Sequence, residues 1–527
     1  MKLSRLGKIL ILAGLTLAAS VQAEMVLRRG NGAEPQSLDP QISEGVPGSH
    51  ILRDLFEGLV AEDKDGKIVP GMAKKWEVSE DGLTYVFHLR DAQWSNGDPV
   101  TAEDFVYAWR RGVDPKTGTN YAFLLYPIVN AEAIATDKEK DLSKLGVKAI
   151  DDNTLEVKLN GPTPYFLGML THSVAYPVPK KVVEQYGNKW TRAENIVGNG
   201  PFKMTKRVPR ASLEVTKSDT YWDKDAVKLD KVIFYPIENR RTELKRFRTG
   251  KLDWTYNVPL NQLKAIKKEL ADNLKVANYL GVYYYSFNTT KPPFKDNIAL
   301  RKALTYAIDR DVLVDKVTGA GEKTAYNLVV PGVANAKPYI PKYAGLSQEK
   351  RLEMAKEFYQ QAGYSKENPL ELELRYNIGE NHKKIATAIA AMWKQALGVK
   401  TNVISEEFKA FLQTRKQKEK TQAFRAGWIG DYNDGNTFLE LFLSNSGLND
   451  VGYNSPKFDK WMKQAAMEQD MDKRAQLMYD AEKDFIDSFS LMPIYHYVTR
   501  RLVNPKVKGY NINVMDHSRS KYMWIEE

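Results

Sequence analysis

RAGWIGDYND, residues Arg425 to Asp434, decides how this chain is read. Phe424 to Ile429 is short and mostly apolar, which predicts a buried strand, and Gly430 to Gly435 has the Gly, Asn and Asp chemistry of a loop. Asp431 therefore stands just past a strand's end, close behind Trp428. In open α/β sheets ligands bind at the carboxyl ends of strands, so a carboxylate beside an indole at that edge suits a cation. A second reading stands next to it, in which Asp431 bonds its own loop and Trp428 belongs to the core. The segment alone does not choose.

A neighbouring segment points to the same kind of edge. Leu370, Leu372 and Leu374 alternate as a strand toward Tyr376-Asn377; Ile385, Ile389, Met392, Trp393 and Leu397 then recur at helical spacing up to Gly398, and Val399 to Ile404 reads as another strand. Strand, helix, strand implies a parallel sheet with a right-handed crossover, which puts Asn377 and His382 at a carboxyl rim like that of Asp431. The N-terminal third is richer in strands. It shows a strand at Met25 to Arg28, a helical face over Ile51 to Val60, a hairpin from Glu77 to Arg90 turning at Asp81-Gly82, and another turning at Asp151 to Asn153. Thr101 to Asp104 resembles a capping box and opens a helix that buries Phe105 and Trp109. There is no internal repeat, low-complexity tract or Pro/Gly/Ser linker, so domains are expected to share segments.

The first residues carry Lys2, Arg5 and Lys8, an apolar run from Ile9 to Ala19, and Val21-Gln22-Ala23, the pattern of a cleavable export signal over residues 1–23. That run is too short to span a bilayer, and no cysteine follows it for a lipid anchor, so a free periplasmic protein is expected. With no cysteine anywhere, a core must hold the exported chain. The formal charge of +11 is only mildly basic for 527 residues, and its lysines interleave with acids, as in DKEKDLSK, which describes solvated helix faces and not a nucleic-acid footprint. The six histidines form no metal-binding pair, and no G-x-S-x-G elbow occurs. Gly319 to Thr324 has its Lys and Gly out of phosphate-loop order and reads as a loop between helix and strand. No catalysis, metal or cofactor is implied, although paired carboxylates of a hydrolase are too common to exclude by spacing.

Seven segments together resemble the periplasmic oligopeptide-binding proteins of peptide ABC transporters. They are EPQSLDP (34–40), RDLFEGLV (53–60), the run from Gly82 through WSNGDPVTAEDFVYAW, GNGPFK (198–203), YW (221–222), LRKALTYAIDR (300–310) and GWIGDYN. The similarity is greatest to the oligopeptide and murein-tripeptide branch. The resemblance implies an α/β, two-lobed, class II periplasmic binding fold with an additional small α/β domain. Lobe one would take 24–56, 181–280 and 498–527, the extra domain 57–180, and lobe two 281–497. A monomer would close over a short peptide and dock on a membrane permease driven by ATPases, with murein tripeptide as the alternative ligand and an exported hydrolase as the distant alternative function.

The resemblance also assigns roles. Asp431 would hold the peptide's α-ammonium group, a pairing whose loss in a buried site costs about 3 to 5 kcal/mol. Gly427 and Trp428 would run beside the peptide main chain. Glu44, Val46, Tyr121, Tyr256 and Asn257 match the lining on lobe one and the extra domain. Asn377, His382, Phe408, Arg415, Arg425 and Tyr497 match the lining on lobe two and near the hinge, with Phe408 where relatives have tryptophan. Arg425, Arg415 and His382 are the candidates for the peptide carboxylate, though Arg425 could instead neutralise Asp431. Gly281 and Ile429 stand where some relatives carry cysteines, and Thr318 where they carry a lysine, which favours peptides of about three to five residues over longer ones.

Overall fold

A computed structural model describes residues 24–526, except for the side chains of residues 408 and 409. The expected export signal at 1–23 and the side chain of Phe408 lie outside the described residues.

Three sheets organise the chain. Val26–Gly30, Lys231–Tyr235, Ser212–Lys217 and Phe202–Val208 form the first, in that spatial order. Ala73–Val78, Thr84–Leu89, Thr154–Lys158 and Val147–Asp151 form a second four-stranded sheet, wholly antiparallel. The third has six strands in the order Lys323–Thr324, Leu491–Leu502, Leu274–Phe287, Ala423–Ile429, Glu371–Asn377, Lys400–Glu406. The long strand Leu274–Phe287 divides its side chains between two cores. Tyr283, Tyr285 and Phe287 pack with Ile385, Ile389 and Trp393 of the helix Glu380–Leu397, while Leu280, Val282 and Tyr284 pack with Phe438, Phe442 and Phe485. Covering both faces explains why its second half reads as a continuous apolar and aromatic run.

Local patterns account for most elements. Gly82 turns its hairpin at φ 70°, and Asp104 closes the capping box by accepting from the Thr101 amide at 2.9 Å. Gly398 ends the helix Glu380–Leu397 in a left-handed cap, and Lys400–Glu406 returns parallel to Glu371–Asn377. Two expectations change. The helix expected over Ile51 to Val60 runs from Val46 to Leu55, because Pro47 opens it, and Gly58, against which the Tyr176 ring packs, lies in extended chain beyond it. The parallel pairing expected of the lobe-two sheet holds for three strands only; Ala423–Ile429 pairs parallel with Glu371–Asn377 and antiparallel with the long strand.

Three of the quoted motifs meet in space. Glu57 of RDLFEGLV accepts from Tyr221 Oη and Trp222 Nε1 of YW, both at 2.6 Å, and its backbone pairs with Asn199 of GNGPFK at 3.0 and 2.9 Å. Gly200 lies against the backbone of Leu55, where a Cβ would clash. Those contacts tie three distant stretches of the chain together.

Candidate functional site

Asp431 is positioned by the end of its sheet. Ile429 pairs with Gly281 across the strands, the Gly430 amide donates to the Leu280 carbonyl at 2.8 Å, and the Asp431 amide donates to Thr437 Oγ1 at 3.1 Å. These bonds fix the backbone and leave the carboxylate uncommitted. Its Oδ2 is shielded from solvent and has no hydrogen-bond partner among the described residues, and burial raises the group to about 7. A second acid lies beside it. Glu440 accepts from Tyr432 Oη at 3.1 Å and Asn436 Nδ2 at 2.8 Å, yet burial and then the Asp431 charge raise it to about 8.

The opposing wall comes from the N-terminal part of the chain. The Tyr121 phenol is pushed up first by the Asp431 charge, then by burial and Glu44, so all three share one corner. Tyr121 stacks on His172 with centroids 4.6 Å apart, and Asn120 donates to Glu44. Tyr165 stacks in parallel on Tyr432 at 5.7 Å and lies under the Arg474 guanidinium, which holds the walls together. Among the described residues no cation pairs with Asp431, Glu440 or Glu44. The corner is an acidic, partly dry recess whose Asp431 and Glu440 carboxyls hold their protons up to neutral pH.

Arg425 presents the complementary situation. It projects from the same strand, donates to Asn377 Oδ1 at 3.2 Å and Tyr497 Oη at 2.9 Å, and lies 4.6 Å from the centroid of the Tyr283 ring. It pairs with none of the described carboxylates, Asp431 included. Gly427, next on that face, keeps room for this contact: a Cβ there would stand 3.1 Å from Tyr497 Oη and from the Val282 carbonyl. Trp428 faces the other way, partly buried, with Nε1 3.5 Å from Thr437 Oγ1.

His382 stacks on Tyr283 and shares a 3.1 Å hydrogen bond with its hydroxyl. Burial, with Arg425 and Arg240 nearby, lowers it to about 3, so at neutral pH it offers a hydrogen bond and not a charge. Val46, Tyr256, Asn257, His382, Ile429 and Tyr497 line one cavity of about 920 Å³. The Tyr256 and Asn257 amides donate to Glu243, and Arg501 holds the Tyr256 carbonyl at 3.0 Å. Arg415 stands apart. It is doubly bonded to Asp450 at 2.9 and 2.5 Å and packs over Phe424, which alternates with Arg425 along the strand, so it faces the opposite side of the sheet.

Sequence reasoning missed Glu440 and Thr437, whose placement depends on the short helix Asn436–Leu439 folding back under the loop. It also missed Arg240 and Arg241, which line the cavity from the start of a helix; the cap residue Asn239 ahead of them was a readable signal. The places of the two absent cysteines, Gly281 and Ile429, are direct cross-strand partners, and the Ile429 side chain fills the space a residue-281 Cβ would need.

Two lobes built on the first and the six-stranded sheets, with the antiparallel four-stranded sheet sharing the first one's core and a cleft lined from both sides, define a two-lobed solute-binding protein with an extra α/β domain. The chain belongs to the bacterial extracellular solute-binding proteins, family 5, whose middle-region model matches residues 67–450. It is 41% identical over 523 residues to the periplasmic oligopeptide-binding protein OppA of Escherichia coli (strain K12), covering 98% of this chain and 96% of that one. The crystal structure of Haemophilus influenzae OppA complexed with RPPGFSPFR is similar at a TM-score of 0.86 and 39% identity, over 96% of this chain and all 100% of that one. The Escherichia coli murein tripeptide binding protein MppA is similar at a TM-score of 0.88 and 38% identity, over 96% and 99%.

Proposed function

We propose that this protein captures short oligopeptides, about three to five residues long, in the periplasm by lobe closure and delivers them to the permease of an ABC-type importer. It acts as a monomer and breaks no bond. The observation that carries the reading is the half-buried, unpartnered Asp431 carboxylate, with Oδ2 shielded from solvent: an α-ammonium group is the counterion that suits it. Arg425 supplies a cation for the ligand carboxylate on the strand that leads to Asp431, with His382 as a neutral hydrogen-bond partner. The relatives' printed names, periplasmic oligopeptide-binding and murein peptide-binding, agree with a peptide ligand. Ordinary oligopeptides are favoured over murein tripeptide, because the latter reading calls on Arg415, which is already ion-paired with Asp450.

In this reading 24–56, 181–280 and 498–527 make lobe one, 57–180 the extra domain and 281–497 lobe two. The hinge lies where the paired strands Leu274–Phe287 and Leu491–Leu502 slip register between Asn278 and Val282. Native mass spectrometry before and after denaturation would identify co-purifying peptides, and calorimetry with trialanine and N-acetyl-trialanine would test the ammonium contact. Trialanine should bind and the acetylated form should not. No co-purifying peptide and no rise in melting temperature with tri- and tetrapeptides would refute the proposal.

A further inference from the structure

We infer, resting on the peptide reading above, that Arg240 and Arg241 form a second charged subsite in the cleft. It accepts a carboxylate carried beyond the ligand's first residues, so peptides acidic toward their C-terminal half are the preferred class. Both arginines open the helix Arg240–Arg248, where Asn239 Oδ1 accepts from the Arg241 and Thr242 amides at 3.0 Å and fixes the first turn. Both side chains are exposed and line the 920 Å³ cavity.

The other charges of that cavity largely cancel in pairs. Arg500 is 2.6 Å from Glu322, Lys384 is 2.9 Å from Glu380, and Arg501 is bound to Asp516. Neither the Arg240 nor the Arg241 guanidinium has an ion-pair or hydrogen-bond partner among the described residues, and Glu238 is the single unpaired acid of the lining. Two free cations thus face one free anion, and the first turn of their helix adds its own partial positive charge. Their field crosses the cleft. After Lys384, it is Arg241 and Arg240 that lower the Glu380 carboxyl on the far wall. Neither acts on Asp431, whose shift comes from burial alone, so the two charged ends of the site are separate. Ile429, two residues before Asp431, lines the same cavity as these arginines, so a ligand anchored by its ammonium at Asp431 and extending past Ile429 would bring later side chains to them.

Calorimetry at 50 and 500 mM salt with the tetrapeptides Ala-Ala-Ala-Ala, Ala-Ala-Glu-Ala, Ala-Ala-Ala-Glu, Ala-Ala-Lys-Ala and Ala-Ala-Ala-Lys tests this. Glutamate at the third or fourth position should be preferred over lysine there by roughly tenfold at low salt, the order expected for two exposed guanidiniums acting on one carboxylate. The preference should shrink at high salt, because exposed charges are screened. It should vanish in the double variant Arg240→Ala, Arg241→Ala. Equal affinity for the Glu and Lys peptides while tetraalanine binds, or a preference that survives the double substitution, would overturn the inference and leave the peptide reading intact. Failure of tetraalanine to bind would overturn both.

Discussion

Replacing Asp431 by Asn removes a charge while keeping its shape, and the structure gives the size of both consequences. Burial lifts the group from 3.8 to about 7, and each unit is 1.36 kcal/mol, so the ionised carboxylate costs the empty protein roughly 4 kcal/mol. The sign follows from the direction. The folded protein holds this proton more tightly than the unfolded chain, so the empty protein loses stability as pH rises from about 4 toward 7. An ammonium ligand needs the ionised form and therefore binds best above 7. At pH 5 only about one carboxyl in a hundred is ionised without ligand, which weakens binding up to about a hundredfold relative to pH 8. In Asp431→Asn the ligand's ammonium would be desolvated without its partner, a loss of about 3 to 5 kcal/mol, or between two and nearly four decades of affinity. Titration calorimetry with trialanine from pH 5 to 8, beside thermal melts without ligand, reads both effects. The variant should bind far more weakly, lose the pH dependence, and melt at a higher temperature than wild type at pH 8. Because burial alone raises Asp431, and Glu440 titrates above it, Glu440→Gln should leave the binding midpoint in place. A variant that binds trialanine within threefold of wild type, or that melts lower without ligand, refutes the reasoning.

Other outcomes test neighbouring groups. Arg425→Ala should weaken tripeptides with a free C-terminus by about tenfold or more, while C-terminally amidated tripeptides, already weak on wild type, should be unaffected; equal losses for both would remove Arg425 from the carboxylate contact. Asp434→Asn, in the same loop, should lower the melting temperature markedly, since it strands Arg474, whose guanidinium bonds both Asp434 oxygens at 2.8 and 2.7 Å in a fully buried pair worth about 3 to 5 kcal/mol when broken. The double variant Gly281→Cys, Ile429→Cys should form a disulfide under oxidising conditions. Gly281 and Ile429 are flanked by the hydrogen-bonded Leu280 and Gly430 and so occupy a close, non-bonded cross-strand position. Stabilisation by about 2 to 4 kcal/mol on oxidation, read from denaturant melts, is the expected result.

Periodicity carried the fold a long way. Leu370 to Leu374, the Ile385 to Leu397 face and Gly398 specify a strand, helix, strand unit by spacing and a cap, and the chain folds accordingly. The Ile51 face misplaced its helix because Phe56 and Leu59 are buried by extended chain as well as by helix, and burial alone does not separate the two periods. The antiparallel pairing of Ala423–Ile429 with Leu274–Phe287 was not legible either, since partners 148 residues apart, such as Gly281 and Ile429, leave no local mark.

The site was legible only up to its chemistry. Asp431 and Asp434 share a loop, and Arg415 and Arg425 lie ten residues apart; residue type distinguishes neither pair. What separates them is satisfaction of charge. Asp434 and Arg415 have their partners, Arg474 and Asp450, within 2.9 Å, and so serve the fold. Asp431 and Arg425, equally committed to their places by backbone and neighbours, are left without counterions on one strand and the loop that follows it, where proteins ordinarily pair such groups. A pair of opposite charges, held apart on one wall and each unmatched among the described residues, is a cost to the fold. A ligand bearing an ammonium and a carboxylate at its two ends relieves that cost at both, and because Tyr121 and Glu44 approach Asp431 from the opposing wall, a ligand held there touches both walls and favours closure.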